Sequence, residues 1–296
     1  MPVIFKCPKD TENILTNIIN IIRQNRQIIS INPNLLFNKL IPEFNDASDD
    51  LNKEKFLEFY KEQVKNSMQN LLEKVEKDIK ENYELISFEL TVDGKLIVGL
   101  GGVHPYETSM TLDFLDGIPY IPGSAVKGVC KHYLIQKYFN EFKIKDNNLK
   151  EKFVSILENI SEDDLKEIAK IKEVFKEINI EQIIELIKIF GSQKQLGKII
   201  FFDAYPVGEI KLSLDVMTPH YQDYYKNRNI FPTDFQNPIP IKFLVVNDTK
   251  FKFYLGCKKN KIENKLLQTT KEYLESALKE YGIGAKTAVG YGYFKS

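Results

Sequence analysis

At 296 residues, 43% of them hydrophobic, the chain can bury a substantial core, either in one elaborated domain or in two. Lysine plus arginine and aspartate plus glutamate both number 41, so the formal charge is zero and no global field draws in a polyanion; affinity for nucleic acid would have to come from a local patch. Cys7, Cys130 and Cys257 lie far apart without CxxC spacing, which argues against a zinc knuckle or a disulfide framework and fits a reduced, intracellular setting. The start, MPVIFKCPKD, has no basic region followed by an apolar run, and no stretch approaches the roughly 18 uninterrupted apolar residues of a membrane span. A soluble, cytoplasmic protein with no membrane contact is expected.

Taken in chain order, Ile14 to Ile29 places apolar residues at helical spacing (Ile14, Ile18, Ile21, Ile22). A second helix is expected from about Asp50 to Lys80, with the stripe Phe56, Tyr60, Val64, Met68, Leu71, Val75, Ile79. INPNLLFNKLIPEF between them has the Pro and Asn content of a connecting loop, so residues 1–84 read as an N-terminal helical segment packed on the core domain. From Leu85 the character changes. ISFELTV and KLIVGL flank Asp93-Gly94, a dipeptide suited to a tight β-hairpin. After Gly99, Gly101 and Gly102 comes GIPYIPGS, where a helix can start with Ser124 as N-cap and run to about Phe139.

Residues 146–190 are dense in Lys, Glu, Ile and Leu at helical spacing and read as a helical insertion. Strands resume in KIIFFDAYPV, EIKLSLDVM, PIKFLVV and FKFYLGC, the last two joined by the turn residues Asn247-Asp248-Thr249. A final helix from about Asn264 to Tyr281 ends at Gly282, a natural residue for the first position past a helix. A short strand around Val289 to Phe294 closes the chain. The order of strands and two core helices is that of an α+β, ferredoxin-like or RRM-like domain over 85–296.

Two constellations carry chemistry. Gly282, Gly284, Lys286, Thr287, Gly290 and Gly292 form a glycine-rich loop with a basic, hydroxylic centre, which lets backbone N–H groups approach a phosphate; a helix cap followed by a glycine-kinked strand fits the same residues. The nucleotide-binding pattern GxxxxGK[ST] is absent, and this loop precedes a strand rather than a helix. In Gly123-Ser124-Ala125-Val126-Lys127-Gly128 a helix start offers N–H groups with Lys127 in its first turn, Lys131 one turn on and His132 and Lys137 nearby, an arrangement that favours an anion. A solvated helix face is the alternative.

These two elements, in the order hairpin, IPGSxxKG helix, strands and glycine-rich loop, resemble the RAMP superfamily of CRISPR-associated proteins. Phe190-Gly191 and Gly197-Lys-Ile-Ile-Phe-Phe-Asp203-Ala204-Tyr-Pro206 are similar to the LFG and FxDAxP pair of many RAMP subunits. Asp215-Val-Met-Thr-Pro-His-Tyr221, the pair Tyr224-Tyr225 and Pro238-Ile-Pro-Ile-Lys-Phe-Leu244 resemble the sixth-type subunit of the type III-B (Cmr) complex more than the fifth, fourth or first types. The resemblance covers about residues 85–294. It implies a non-catalytic subunit that binds the 3′ part of a CRISPR guide RNA, meets its target RNA, and sits beside backbone and capping RAMP subunits. It also implies phosphate contacts from Gly123, Ser124, Lys127 and Lys131 with the glycine-rich loop beside them. His220, Tyr221 and Tyr225 would lie in the subtype-specific loop, where aromatic rings can stack on bases; a loop braced by its Pro and Tyr is the alternative. No cofactor or metal is implied.

An enzymatic reading rests on few residues. His104, in GGVHPYETS near where related guide-processing ribonucleases carry a catalytic histidine, could act as general acid or base with Tyr106 nearby. Metal-independent cleavage would also require a group to stabilise the pentavalent phosphate. Asp113 and Asp116 in LDFLDG could pair in acid–base or metal chemistry, or be turn residues beside Gly117. A purely structural capping subunit is the third reading, and the zero net charge is compatible with it.

Overall fold

The computed structural model describes residues 9–24, 31–41, 53–64, 69–141, 143–161, 163–164, 169, 180–218, 231, 240–259 and 264–296. The isoleucine-rich start is helix α1 (Lys9–Arg23); the rest of the helix expected to Ile29 lies outside the described residues. The stretch read as a connecting loop contains a helix, α2 (Pro33–Asn38). Its signal is local: Asn32 caps it by accepting from the N–H groups of Asn34 and Leu35 at 2.7 and 3.2 Å, and Pro33 stands where a helix has an N–H to spare. The single long helix expected next is two, α3 (Lys53–Gln63) and α4 (Gln69–Asn82). Ile18, Leu36, Phe37, Phe56 and Tyr60 from α1 to α3 are buried in the same cluster as residues of the sheet, so these helices and the sheet share one core.

Strand β1 (Tyr83–Val92) and helix α5 (Gly123–Glu141) open the core proper. Strands β3 (Ile200–Phe201), β4 (Tyr205–Val207) and β7 (Lys250–Lys258) come next, then helix α8 (Asn264–Glu280) and strand β8 (Phe294–Lys295). Among the described residues β8 pairs with β1, β1 with β7, and β7 with both β3 and β4, all antiparallel. This β-α-β-β-α-β order with β1 and β7 central is the ferredoxin-like arrangement. Helices α5 and α8 pack against each other, burying Cys130, Leu134, Leu267, Leu274 and Leu278. The insertion supplies α6 (Asn147–Glu158) and α7 (Ile180–Phe190). Phe153 of α6 meets Phe139 of α5 edge-on at 5.4 Å.

A second, three-stranded antiparallel sheet is made of β2 (Lys95–Leu96), β6 (Ile241–Asn247) and β5 (Leu212–Met217), in that order. The hairpin expected at Asp93-Gly94 is absent: β1 and β2 pair with different strands in different sheets. Thr91 faces Lys250 and Lys95 faces Asn247, so one long ribbon, β1-β2 against β6-β7, crosses from sheet to sheet. At the crossing Val92, Asp93 and Gly94 oppose Asp248 and Thr249, one residue more on the first strand, which is the count of a β-bulge and bends the ribbon. Gly94 takes φ +83° there and Asp248 φ +40°. The same dipeptide chemistry that closes a hairpin therefore serves a bend. The closing strand also differs from expectation, since Val289 belongs to a 3-10 turn (Thr287–Val289) and is exposed.

The bend is pinned by hydrogen bonds from Val92 N–H to Thr249 C=O and from Asp248 N–H to Gly94 C=O, both 3.0 Å. Thr249 is 1% exposed, and its hydroxyl donates to Asn247 C=O at 2.9 Å while accepting from Lys211 N–H at 3.1 Å. Thr249→Val keeps the shape and strands both backbone groups, so it should lower unfolding free energy by about 1–3 kcal/mol in urea titrations, with Thr249→Ser nearer wild type.

Candidate nucleic-acid interface

The start of α5 is built by a clamp between two motifs far apart in sequence. Ile121 and Ala204 exchange backbone hydrogen bonds at 2.9 Å each way, and Asp203 Oδ1 accepts the N–H of Gly123 at 2.7 Å. Asp203, rather than Ser124, thus caps the helix, from another segment. Gly123 is buried, and a Cβ on it would come within 2.3 Å of the Phe201 carbonyl oxygen. Its N–H and its bare Cα therefore face the protein, whereas Ser124 is exposed.

Lys127 and Lys131 stand four apart on α5, a spacing that makes them neighbours. Burial, and then the charge of Lys131, pull the Lys127 ammonium below its ordinary pKa. Lys131 reaches Glu158 at 3.8 Å, a long and partly exposed pairing. Exposed Gly128 has nothing within 4 Å of its missing Cβ, which leaves open space beside this pair. Lys137 is directed elsewhere, over the Tyr273 ring at 5.1 Å.

Because β7 runs antiparallel to β1, the end of α8 and the start of α5 lie at the same end of the sheet, that of the bend. Tyr281, which leads into the glycine-rich loop, packs edge-on against His132 at 5.4 Å and Tyr133 at 5.8 Å. Gly282 caps α8 with φ +68° and an N–H to Ala277 C=O. Gly284 and Gly292 are glycines for packing: a Cβ would come within 2.3 Å of Ile97 O and 1.9 Å of Ile283 O respectively. Gly290, at φ +93°, is exposed with nothing within 4 Å. The ends of the loop cap a helix and brace β2, as the cap reading expects, and Ala288, Val289 and Gly290 are exposed.

Lys286, itself left-handed at φ +63°, lays its ammonium over Phe243 at 5.0 Å and Tyr291 at 5.4 Å. Tyr291 donates its hydroxyl to Asp215, which also pairs with Lys95 at 2.8 Å. Burial pushes the Asp215 carboxyl up, but hydrogen bonds from Lys95, Tyr291 and the Val216 N–H outweigh it and hold the group below its ordinary value. Burial and the bond to Asp215 push Tyr291 up to about 12, so it stays a neutral donor. Neither Lys95 nor Tyr291 stands out in the sequence. The one hint there is that Tyr291 is enclosed by Gly290 and Gly292. His220, Tyr221 and Tyr225 lie outside the described residues.

The residues weighed for catalysis are built into the framework. His104 is 8% exposed and stacks on Phe37 at 4.4 Å. Its Nδ1 accepts from Tyr106 N–H at 3.1 Å, so Nε2 carries the proton and donates to Phe37 C=O at 2.8 Å. Asp113 Oδ1 accepts from the N–H groups of Leu115 and Asp116, both at 2.9 Å, and Oδ2 from the Tyr205 hydroxyl at 3.3 Å, which is the work of a turn residue. Burial, then Asp113, raise the Asp116 pKa. Among the described residues no group of His, Cys, Asp and Glu could hold a metal ion, and no helix is long and apolar enough to cross a membrane.

A clamped glycine-starting helix, a ferredoxin-like sheet and a glycine-rich loop after the last helix are the parts of a known architecture. The family model of the RAMP superfamily matches residues 89–295, and the chain belongs to that superfamily. Within it, the chain is 36% identical over 242 residues to the CRISPR system Cmr subunit Cmr6 of Pyrococcus furiosus, covering 73% of this chain and 69% of that one, and so resembles the sixth-type subunits. It is 23% identical over 239 residues to the Cmr6 of Saccharolobus solfataricus, over 79% of this chain and 64% of that protein, so it spans about two thirds of the length of either relative. A chain in the cryo-EM structure of the Type III-B Cmr-beta bound to cognate target RNA has the same fold, with TM-score 0.51 over 96% of this chain and 87% of that one at 18% identity.

Burial, and secondarily Lys53, lower the His104 pKa below 6.5 in the folded state. A base whose folded pKa is depressed binds protons more readily when unfolded, so its contribution is complete above about pH 6.5 and is lost as pH falls below it. Urea midpoints should therefore drop between pH 7.5 and 5.5, and the drop should shrink in His104→Gln.

Proposed function

We propose that the chain is a guide-RNA-binding subunit of a type III-B CRISPR effector complex, without nuclease activity of its own, holding the 3′ part of the guide beside backbone and capping RAMP subunits and the target RNA. One observation carries the reading. The start of α5, with Lys127 and Lys131, and the glycine-rich loop, with Lys286, share one end of the sheet, and among the described residues no carboxylate pairs with Lys127 or Lys286. A short cationic strip beside an open glycine segment is what a phosphate chain can follow. The Cmr6 names of the two relatives support the assembly, and the bound target RNA of the Cmr-beta structure supports an RNA partner.

The absence of nuclease activity rests on the same chemistry. His104 can neither give nor take a proton at an RNA without breaking a backbone hydrogen bond, and Asp113 is committed to its turn. A purely structural role has one observation in its favour, the neutral chain charge.

Labelled single-stranded RNA of guide length, titrated at 50 and 200 mM salt, decides between them. The guide-binding reading expects affinity that falls with salt, a reduction of about ten-fold or more for Lys127→Ala/Lys286→Ala with a shallower salt slope, and intact RNA on a gel. Cleaved RNA that disappears with His104→Ala would reinstate the ribonuclease. Binding unchanged by the substitutions would move the contact elsewhere, and none at all would leave the structural role.

A further inference from the structure

Residues 113–117 form the tip of the loop that leads into α5, closed by the bridge between Leu112 and Pro119. Phe114 is 82% and Leu115 77% exposed, and Leu35 in the adjoining turn of α2 is 46% exposed. Scattered exposed apolar residues are ordinary, but neighbouring ones on a fixed loop are not. This loop is fixed from three sides. Asp113 Oδ1 binds the N–H groups of Leu115 and Asp116, and the Asp113 backbone bonds Ile118 C=O at 2.7 Å and Gly117 N–H at 2.9 Å. From α2, the Asn32 amide donates to the carbonyls of Phe114 and Leu115, and the Asn34 amide to those of Leu112 and Asp113. Gly117, at φ +66°, has α2 so close that a Cβ would come within 2.5 Å of Asn34 N. Helix α2, which buries Leu36 and Phe37 in the core, thus also buttresses two side chains that touch solvent.

We infer that this tip is a protein-docking knob, in which Phe114 and Leu115 enter an apolar pocket with a cationic rim on a neighbouring protein subunit. Charge selects protein over RNA. Asp113 and Asp116 flank Phe114 and Leu115 within the tip, and Asp113 adds to burial in raising the Asp116 pKa, with Lys74 the cation acting on Asp116. Such an acidic surround repels a phosphate backbone and suits a basic rim. Rigidity suits docking as well, since a tip already held in place loses little conformational freedom when it binds. A buried aromatic anchor of this kind is where binding energy concentrates.

The inference rests on the reading of the chain as a subunit of an assembly, and the test separates the two. The type III-B complex is reconstituted from purified subunits and guide RNA with wild type or Phe114→Ser/Leu115→Ser, reading incorporation by native mass spectrometry. Thermal unfolding and RNA affinity of the variant alone are measured alongside; both should be unchanged, because the two side chains are exposed and are not among the residues of the cationic strip. Incorporation weakened ten-fold or more supports the knob. Incorporation equal to wild type overturns it while leaving the subunit reading intact. Loss of RNA affinity in the variant, or photo-crosslinking of the tip to RNA, overturns it in favour of an RNA contact. Failure of the wild type itself to incorporate overturns the subunit reading and the knob with it.

Discussion

The ribbon formed by β1-β2 and β6-β7 must turn from one sheet into another without losing its ladder, and nearly every functional feature is placed by how it does so. The extra residue at Val92-Asp93-Gly94 absorbs the turn, and the register resumes one step later at Lys95. Beyond the bend, Gly292 N–H bonds Lys95 C=O and Ala285 N–H bonds Ile97 C=O, so the glycine-rich loop is seated on the strand that the bulge has redirected. Asp93 N–H, in the bulge itself, bonds Tyr293 C=O and ties the exit of the loop to the same point. A straight ribbon would carry Lys95 and Ile97 along the first sheet and leave the loop nothing to sit on.

The two faces of β6 show how the second sheet is held. Leu244 and Val246 belong to the main core, while Phe243 and Val245 form a small separate cluster with Ile97, joined at its rim by Met217, Ala285 and Tyr291. The glycine-rich loop is therefore the lid of a minor core, and Lys286 lies over an aromatic ring of that core. Glycines at 284 and 292 permit the lid to close on the backbone beneath it. The exposed segment from Ala288 to Gly290 is presented by packing on its inner side, not by freedom of its own.

Much of this is legible in the sequence where local chemistry decides. The closing helix with Gly282 after it, the α5 helix and the strands of both sheets come from periodicity and caps, and the paired motifs around Gly123 and Asp203 are visible as separate signals. What escapes is whatever depends on a partner distant in sequence. Asp93-Gly94 reads as a hairpin because the dipeptide specifies two unusual backbone positions and says nothing of which strand pairs with which. Ser124 reads as the cap because the true one, Asp203, is eighty residues away. The setting of His104 escapes because the groups that fix its tautomer are backbone atoms of Phe37 and Tyr106, which no side-chain pattern records. The helix at Pro33 hides for the opposite reason: Pro and Asn are loop formers, yet here they are also a first turn and its cap.

A chain of zero net charge can still present a cationic path if its acids are spent elsewhere, and the ion pairs show where. Lys95 is held by Asp215, Lys242 by Glu54 and Lys252 by Glu76, each inside the framework of sheets and helices. Asp203 accepts at the cap of α5 and Asp113 in its turn, where each carboxylate is committed to backbone N–H groups. Among the described residues Lys127 and Lys286, at the bend end of the sheet, have no carboxylate partner, while Lys131 pairs with Glu158 at 3.8 Å. The acidic surplus reappears at the 113–117 tip. Zero net charge is thus compatible with a local cationic strip at Lys127 and Lys286 and a local acidic tip at Asp113 and Asp116.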